Sequence, residues 1–350
     1  IPVTLSMDYH TYSIYKVDRA GTKEKIEVPV TVINGGGRTL LPGLIDMHVH
    51  LHVAMVGGGV PGLEQMGWQE IGARAVARAR DRLYEGFTTV RDMGATDAGL
   101  KKVIDDGTLV GPRIYPSGAY ISQTSGHFDL RLPTMRNPSL TPHHDSNINR
   151  LGMAIIADGA DAVRAAVRQN LSQGATQIKI ANSGGVVSTM DPLHTRQYSM
   201  SELKAAVETA EDWGTYVATH SIPDDSVRRA LEAGVKSIEH AAFLTEETAR
   251  LVKEKGAFLA VNLTAYSDYA LQIPHMKVEP SKSKMESVVR YGEKFKQVID
   301  KVKPKMVFST DVVGGDLTSA RQHRDHEKWL HAKFFGNLAM LRAATSTAGE

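Results

Sequence analysis

His48 and His50 stand two residues apart in the run LIDMHVH. On a strand, alternation places Leu44, Asp46, His48 and His50 on one face and Ile45, Met47 and Val49 on the other. Two imidazoles on one face make a sound metal pair; the competing reading is a buried, hydrogen-bonded histidine. The same placement recurs elsewhere: His220 ends TYVATH, His240 ends SIEH and Asp311 ends MVFSTD, each closing a strand-like run. The chain has no cysteine, which excludes disulfides, thiolate metal sites and cysteine nucleophiles. Nitrogen and oxygen donors of this kind suit zinc, manganese or iron, zinc being the commonest in hydrolysis.

Lys179, in QIKIA, faces away from Ile178 and Ile180 and therefore toward the interior. A buried ammonium beside metal cations is too costly to persist, so this lysine is expected to be neutral or modified. A lysine of lowered pKa attacks carbon dioxide, and the carbamate so formed has two oxygens with which to bridge two metals. Taken alone, the residue could equally be a lysine snorkelling from a strand end.

The elements that must position these groups follow a repeat. Candidate strands at 44–50, 88–92, 113–116, 177–181, 216–220, 237–240, 257–262 and 305–311 are separated by enough chain for crossover helices. Helix-forming segments at 69–85, 161–173, 201–213 and 223–233 run into Gly86, Gly174, Gly214 and Gly234, where a left-handed cap turns the chain into the next strand. Alternation of this kind implies a parallel sheet, and eight units close a (β/α)8 TIM barrel; an open doubly wound sheet shares the repeat. In a barrel the strand C-terminal ends share one rim, and that is where the histidines and Asp311 fall. Residues 41–350 are expected to form the barrel. Residues 1–40, with a candidate strand at 26–33, are expected to belong to a small β-sandwich flanking domain that is incomplete, its C-terminal strands missing. Long connections at 117–150, 263–282 and 312–329 follow strand C-terminal ends and read as loops over the site. The Lys-rich stretch 282–305 reads as a solvated helix face.

The chain has 350 residues, of which 42% are hydrophobic and 23% charged, with a net charge of +2. This is the composition of a soluble globule, without the basic excess of a nucleic-acid binder or an apolar run of about 18 residues for a membrane span. The expected partner is a small-molecule amide or dipeptide, with no nucleic acid and no membrane, in a homo-oligomer. The first residues lack a secretory signal, so the cytoplasm is expected unless a signal peptide has been removed, which would make the protein periplasmic or secreted.

The motif PGLIDMHVH at 42–50, the strand-four lysine, the strand-five and strand-six histidines and the STD aspartate resemble the amidohydrolase superfamily in its two-metal, carboxylated-lysine form. GFTTVRDMG at 86–94, SQTSGHFDLR at 122–131, QIKIANSGG at 177–185 and the IEHA context are similar to its imidazolonepropionase-related branch. That branch includes Xaa-Pro dipeptidases, amino-acid carboxypeptidases and ochratoxin-cleaving amidases, and the resemblance spans residues 32–350. It implies two divalent metal ions, expected to be zinc: His48, His50 and Asp311 hold one, His220 and His240 the other, and carboxylated Lys179 bridges them. It further implies a bridging hydroxide that attacks an amide carbonyl, Asp311 moving the proton to the leaving nitrogen, and His127 contacting the substrate carbonyl. Arg196 and Tyr198, in HTRQY, are candidates to meet a substrate carboxylate. Ser221-Ile222 stands where peptide-cleaving relatives often carry an aromatic, and Val312-Val313-Gly314 follows the aspartate. The expected activity is that of a dipeptidase on Xaa-Pro or a carboxypeptidase-like enzyme on N-acyl amino acids, including ochratoxin-like amides. The rivals are a cyclic-amide hydrolase, a mononuclear deaminase, which would lack the lysine ligand, and a barrel that has lost catalysis. His52, His143, His144, His323 and His326 read as surface histidines.

Overall fold

The computed structural model describes residues 3–8, 13–19, 35–53, 62–137 and 146–350; the candidate strand at 26–33 and the His143-His144 dipeptide lie outside them. The chain divides into two units, Ile1–Pro42 and Gly43–Glu350. In the first, β1 (Val3–Asp8) and β2 (Ser13–Arg19) pair antiparallel from Val3↔Arg19 to Asp8↔Ser13.

In the second unit strands and helices alternate. The order is β3 (Leu44–Val49), α1 (Trp68–Tyr84), β4 (Phe87–Asp92), α2 (Ala98–Asp105), β5 (Arg113–Pro116), β6 (Tyr120–Ser122), α3 (Asn147–Arg150), β7 (Ala154–Ile156), α4 (Ala160–Ser172), β8 (Ile178–Ala181) and α5 (Met200–Asp212). It continues through β9 (Val217–Ser221), α6 (Asp224–Ala233), β10 (Ser237–His240), α7 (Glu246–Glu254), β11 (Phe258–Val261), α8 (Ser281–Val302), β12 (Met306–Phe308), α9 (Leu317–Phe335) and α10 (Asn337–Ala343). Every pairing among these strands is parallel, in two ladders ordered β3-β4-β5 and β12-β11-β10-β9-β8-β6-β7.

The two ladders join at both ends. The third barrel strand is split at Gly118, whose φ is +74°: its first half, β5, pairs with β4, and its second half, β6, pairs with β8 through Ile121↔Ile180. Thr176 N also donates to Pro116 O at 2.8 Å. At the other seam Asp311 N donates to His48 O at 2.9 Å and Thr310 N to the Asp46 carboxylate at 3.1 Å. The architecture is a (β/α)8 barrel, with β7 as an extra strand beside β6.

Burial explains why these segments hold. Ile178, Ile180, Val217, Ile238 and Leu259 point outward into one continuous core with Val163, Val167, Leu203, Val227 and Leu231 of the surrounding helices. Each such side chain contributes about 1.5–3 kcal/mol by leaving water. With Ile178 and Ile180 committed outward, Lys179 between them faces the barrel interior. Two expectations change. The 117–150 connection is no simple loop, because it carries β6 and α3, and most of 312–329 is the start of α9. The connection after β11 is a chain of short 3-10 turns, and 282–305 is largely the helix α8, which buries Met285, Val288, Phe295 and Ile299. Among the described residues no helix is long and apolar enough to cross a membrane.

Candidate active site

His48, His50, His220, His240 and Asp311 meet at the C-terminal rim of the barrel. His48 Nε2 and His50 Nε2 lie 3.1 Å apart, and Asp311 Oδ1 is 3.4 and 3.2 Å from them. His240 Nδ1 lies 3.7 Å from Asp311 Oδ2, and the His220 and His240 rings are 4.5 Å apart. One ligand atom from each of His48, His240 and Asp311 falls within 4.8 Å of the others. Two of these residues sit on left-handed backbone, His240 at φ +74° and Asp311 at φ +49°. Strict alternation from Ile238, which packs outward, would turn His240 out as well; the left-handed turn at the strand end frees it from that alternation and leaves it beside His48 and His220. Such a conformation costs about 1–3 kcal/mol per residue and clusters where function demands it.

Each of the four ligand-type histidines has one nitrogen engaged by an outer partner. His48 Nδ1 meets Glu239 at 2.7 Å, His50 Nδ1 the Tyr120 hydroxyl at 2.8 Å, His240 Nδ1 Asn262 Oδ1 at 3.1 Å, and His220 Nε2 the Gly184 carbonyl at 3.2 Å. This fixes ring orientation and leaves Nε2 of His48, His50 and His240 and Nδ1 of His220 for a metal, the arrangement typical of metal-ligating histidines. Glu239 is itself held by Arg91 at 2.8 Å and Ser237 at 2.6 Å. Tyr120 reaches His50 because Gly94, at φ +142°, leaves room for its ring: a Cβ there would lie 1.9 Å from Tyr120 Cε1. Asp46, assigned to the histidine face by alternation, instead pairs with Arg82 of α1 at 2.6 Å and Thr310 at 2.7 Å. β3 shifts register against β4 on both sides of it.

Electrostatics at the rim favour neutral imidazoles and a charged aspartate. Burial, with Lys179 nearby, holds His48 well below the usual imidazole range; burial and His127 do the same to His220, and burial takes His240 down to about 4. Burial alone would raise the Asp311 carboxyl, but His48, a hydrogen bond from His50 and His240 hold it below the carboxylate range. Lys179 is fully buried, and burial lowers its ammonium to about 8. Its Nζ has no hydrogen-bond partner among the described residues and sits 5.8 Å over the Phe128 ring. A buried ammonium without a hydrogen bond among the described residues, near Asp311 and Glu239, fits carboxylation, and neutral imidazoles with free nitrogens fit divalent cations.

His127, on the loop after β6, joins the cluster by stacking on His220 with ring centroids 3.9 Å apart. Its Nδ1 meets Ser188 Oγ at 2.7 Å and lies 3.6 Å from Asp191. Arg196 and Tyr198 are not brought to the rim. Arg196 is half exposed and pairs with Asp225 at 3.2 Å. Tyr198 is fully buried in the helix-facing core, its hydroxyl donating to Ala157 O at 2.9 Å, because the chain pairs with 182–183 and turns this ring inward. Nor are His52 and His323 surface residues: His52 is buried against Thr96 and Trp68, and His323 is largely covered beside Tyr269. Sequence reasoning missed Glu239, Tyr120, Asn262, Ser188 and Asp191. Only Glu239 carried a signal, since it shares the inward parity of Ser237.

The sequence matches the Amidohydrolase family over residues 39–344. It is 32% identical over 296 residues to the ochratoxinase of Aspergillus niger, an alignment covering 80% of this chain; the chain spans 59% of that relative's length. A crystal structure of an amidohydrolase superposes with a TM-score of 0.86 at 34% identity, covering 96% of this chain and 79% of the other. The crystal structure of a prolidase complexed with N-methylphosphonate-L-proline gives a TM-score of 0.83 at 33% identity, with 96% and 79% covered. The family match runs through all eight barrel strands and every rim residue described above, so this chain belongs to the amidohydrolase family.

Proposed function

We propose that the protein is a metal-dependent hydrolase of amide bonds acting on N-acyl amino acids or Xaa-Pro dipeptides. The observation that carries this reading is the fully buried Lys179, without a hydrogen-bond partner among the described residues, beside four histidines and Asp311. Similarity to an ochratoxinase and to a prolidase crystallised with a phosphonate-L-proline supports the substrate class. His48, His50 and Asp311 would hold one divalent cation and His220 and His240 a second, with carboxylated Lys179 shared between them and zinc as the metal. Bound there, the cations supply Lewis acidity that polarises an amide carbonyl and lowers the pKa of water.

The chain's own residues do the rest. His127 contacts Ser188 through Nδ1, which leaves Nε2 for the substrate. From there it would stabilise the oxyanion that develops on the carbonyl. Asp311 takes the proton from the attacking water and returns it to the leaving nitrogen, without which an amide nitrogen cannot depart. Glu239 and Tyr120 keep His48 and His50 oriented throughout.

The test is metal per chain on protein purified without chelator, together with hydrolysis of acyl-amino acids, Xaa-Pro dipeptides and cyclic amides. About two ions per chain and turnover of the linear amides support the reading. Turnover of cyclic amides alone replaces the substrate class, and one ion with deamination replaces the mechanism. A fully metallated protein that cleaves nothing overturns the assignment as an enzyme.

A further inference from the structure

We propose that Lys284 is a positioning residue for His127, acting through the loop that follows β8; the inference rests on the reading of His127 as the substrate-facing histidine. Lys284 stands in the first turn of α8, where the helix dipole disfavours a positive charge. Its side chain is nevertheless folded inward, with 10% of its surface exposed. Other lysines of this helix remain more exposed and make ordinary surface pairs, Lys296 with Asp300 and Lys301 with Glu246.

The compensation for Lys284 is specific. Its Nζ donates to Gly185 O at 2.9 Å, Ser188 O at 2.7 Å and Asp191 O at 2.7 Å, with Asp191 Oδ1 at 3.9 Å. An ammonium has three protons, and three carbonyls converge on it. Without a cation at that point, the three carbonyl dipoles would repel and the 185–191 turn would open. A planar guanidinium cannot direct three protons from one nitrogen, so charge alone does not replace it.

The turn that Lys284 gathers holds His127 at two atoms. Ser188 Oγ donates to Gly185 O at 3.2 Å and takes His127 Nδ1 at 2.7 Å. Asp191 Oδ2 accepts from Gly185 N at 2.9 Å and from Gln197 Nε2 at 3.2 Å, while Gln197 Oε1 accepts from His127 N at 2.8 Å. Gly184 O, one residue before the first clamped carbonyl, meets His220 Nε2. The ammonium thus sits behind the groups that orient His127.

The experiment compares Lys284→Met, Lys284→Arg and Ser188→Ala with wild type. For Lys284→Met we expect faster amide exchange across 184–191 and loss of the protected His127 Nδ1 proton in long-range nitrogen–proton spectra. Metal content stays at the wild-type level, and kcat falls by about 10- to 100-fold with little change in KM, as for a misplaced catalytic group. Lys284→Arg behaves in the same direction, which keeps the test decisive if the methionine variant does not fold. Ser188→Ala reproduces the loss in kcat while exchange across the loop stays as in wild type. Unchanged exchange and an unchanged His127 signal in Lys284→Met, or full activity in Lys284→Arg, overturn the proposal. If wild type cleaves no amide, the hydrolase reading falls, while exchange and the His127 spectrum still decide whether Lys284 holds the loop.

Discussion

Gly185→Ala offers a direct measurement of how tightly His127 must be placed. A Cβ at this position would lie 2.1 Å from His127 Cε1, 2.2 Å from Nδ1 and 2.6 Å from Nε2. Ordinary carbon contacts are about 3.5–4.0 Å, so the ring must retreat by roughly 1.4–1.9 Å. It has nowhere easy to go: His220 stacks on it at 3.9 Å, the Phe128 ring lies at 4.8 Å, and Ser188 holds Nδ1 at 2.7 Å. A displacement of about 1 Å in a catalytic group costs on the order of 100-fold, or about 2.7 kcal/mol of transition-state stabilisation. We therefore expect kcat/KM toward the best amide substrate to fall at least that far. Metal content should hold, since Gly185 bears no ligand. The assay pairs steady-state kinetics and metal analysis with a crystal structure of the variant. Activity within about threefold of wild type and an unmoved His127 would refute the argument that this ring needs its present position.

Three further outcomes follow from the same geometry. Glu239→Gln keeps the shape but removes the charge facing His48 Nδ1 and Arg91; metal affinity by chelator competition should drop about 10- to 100-fold, and an unchanged affinity would dismiss Glu239 as the group that orients His48. Lys179→Met should lose tight binding of the second metal and most activity, whereas near-normal metal content and turnover would sink the bridging role. In metal-free protein His48, His220 and His240 are held below the ordinary imidazole value by burial, His240 at about 4. The unfolded chain then binds more protons below about pH 6.5, so stability is complete above that value and declines on acidification; His240 alone accounts for about 3 kcal/mol lost by pH 4. Urea unfolding of the stripped protein at pH 7, 6 and 5 reads this, and a pH-independent midpoint contradicts it.

Much of the barrel was legible because its signals are local. Ile178 and Ile180 flank Lys179, and the alternation that buries the isoleucines among helices also fixes the direction of the lysine. Strand ends carrying His220, His240 and Asp311 could be read from where apolar runs stop. What could not be read depends on contacts far apart in sequence or on departures from regular backbone. The third strand breaks at Gly118, so Tyr120 looked like a loop residue when it is the partner of His50. Alternation in SIEH points to Glu239, and only the left-handed turn at His240 lets both residues serve the site. Arg196 and Tyr198 were misjudged because a polar stretch after a strand says nothing about which side chains turn outward; one meets Asp225 and the other enters the core. Ser188, Asp191 and Lys284 come from a loop and a helix about 93 residues apart, and no pattern in either announces the other.

Several unfavourable contributions in this barrel meet at one rim. Left-handed backbone at His240 and Asp311, imidazoles forced neutral by burial and an ammonium without a hydrogen bond each work against folding. Scattered over the molecule they would be accidents of packing, but here they share one set of strand ends and one network of orienting partners. A barrel selected for stability alone would place an apolar side chain at the fully buried position 179. Stability and activity should then respond to its replacement with opposite signs. Lys179→Met should make the metal-free protein more stable, by about 1–3 kcal/mol for relieving an unpaired buried group, while removing the chemistry. A destabilised Lys179→Met protein would instead mean that the lysine is held for the fold, and the functional reading of the rim would lose its central support.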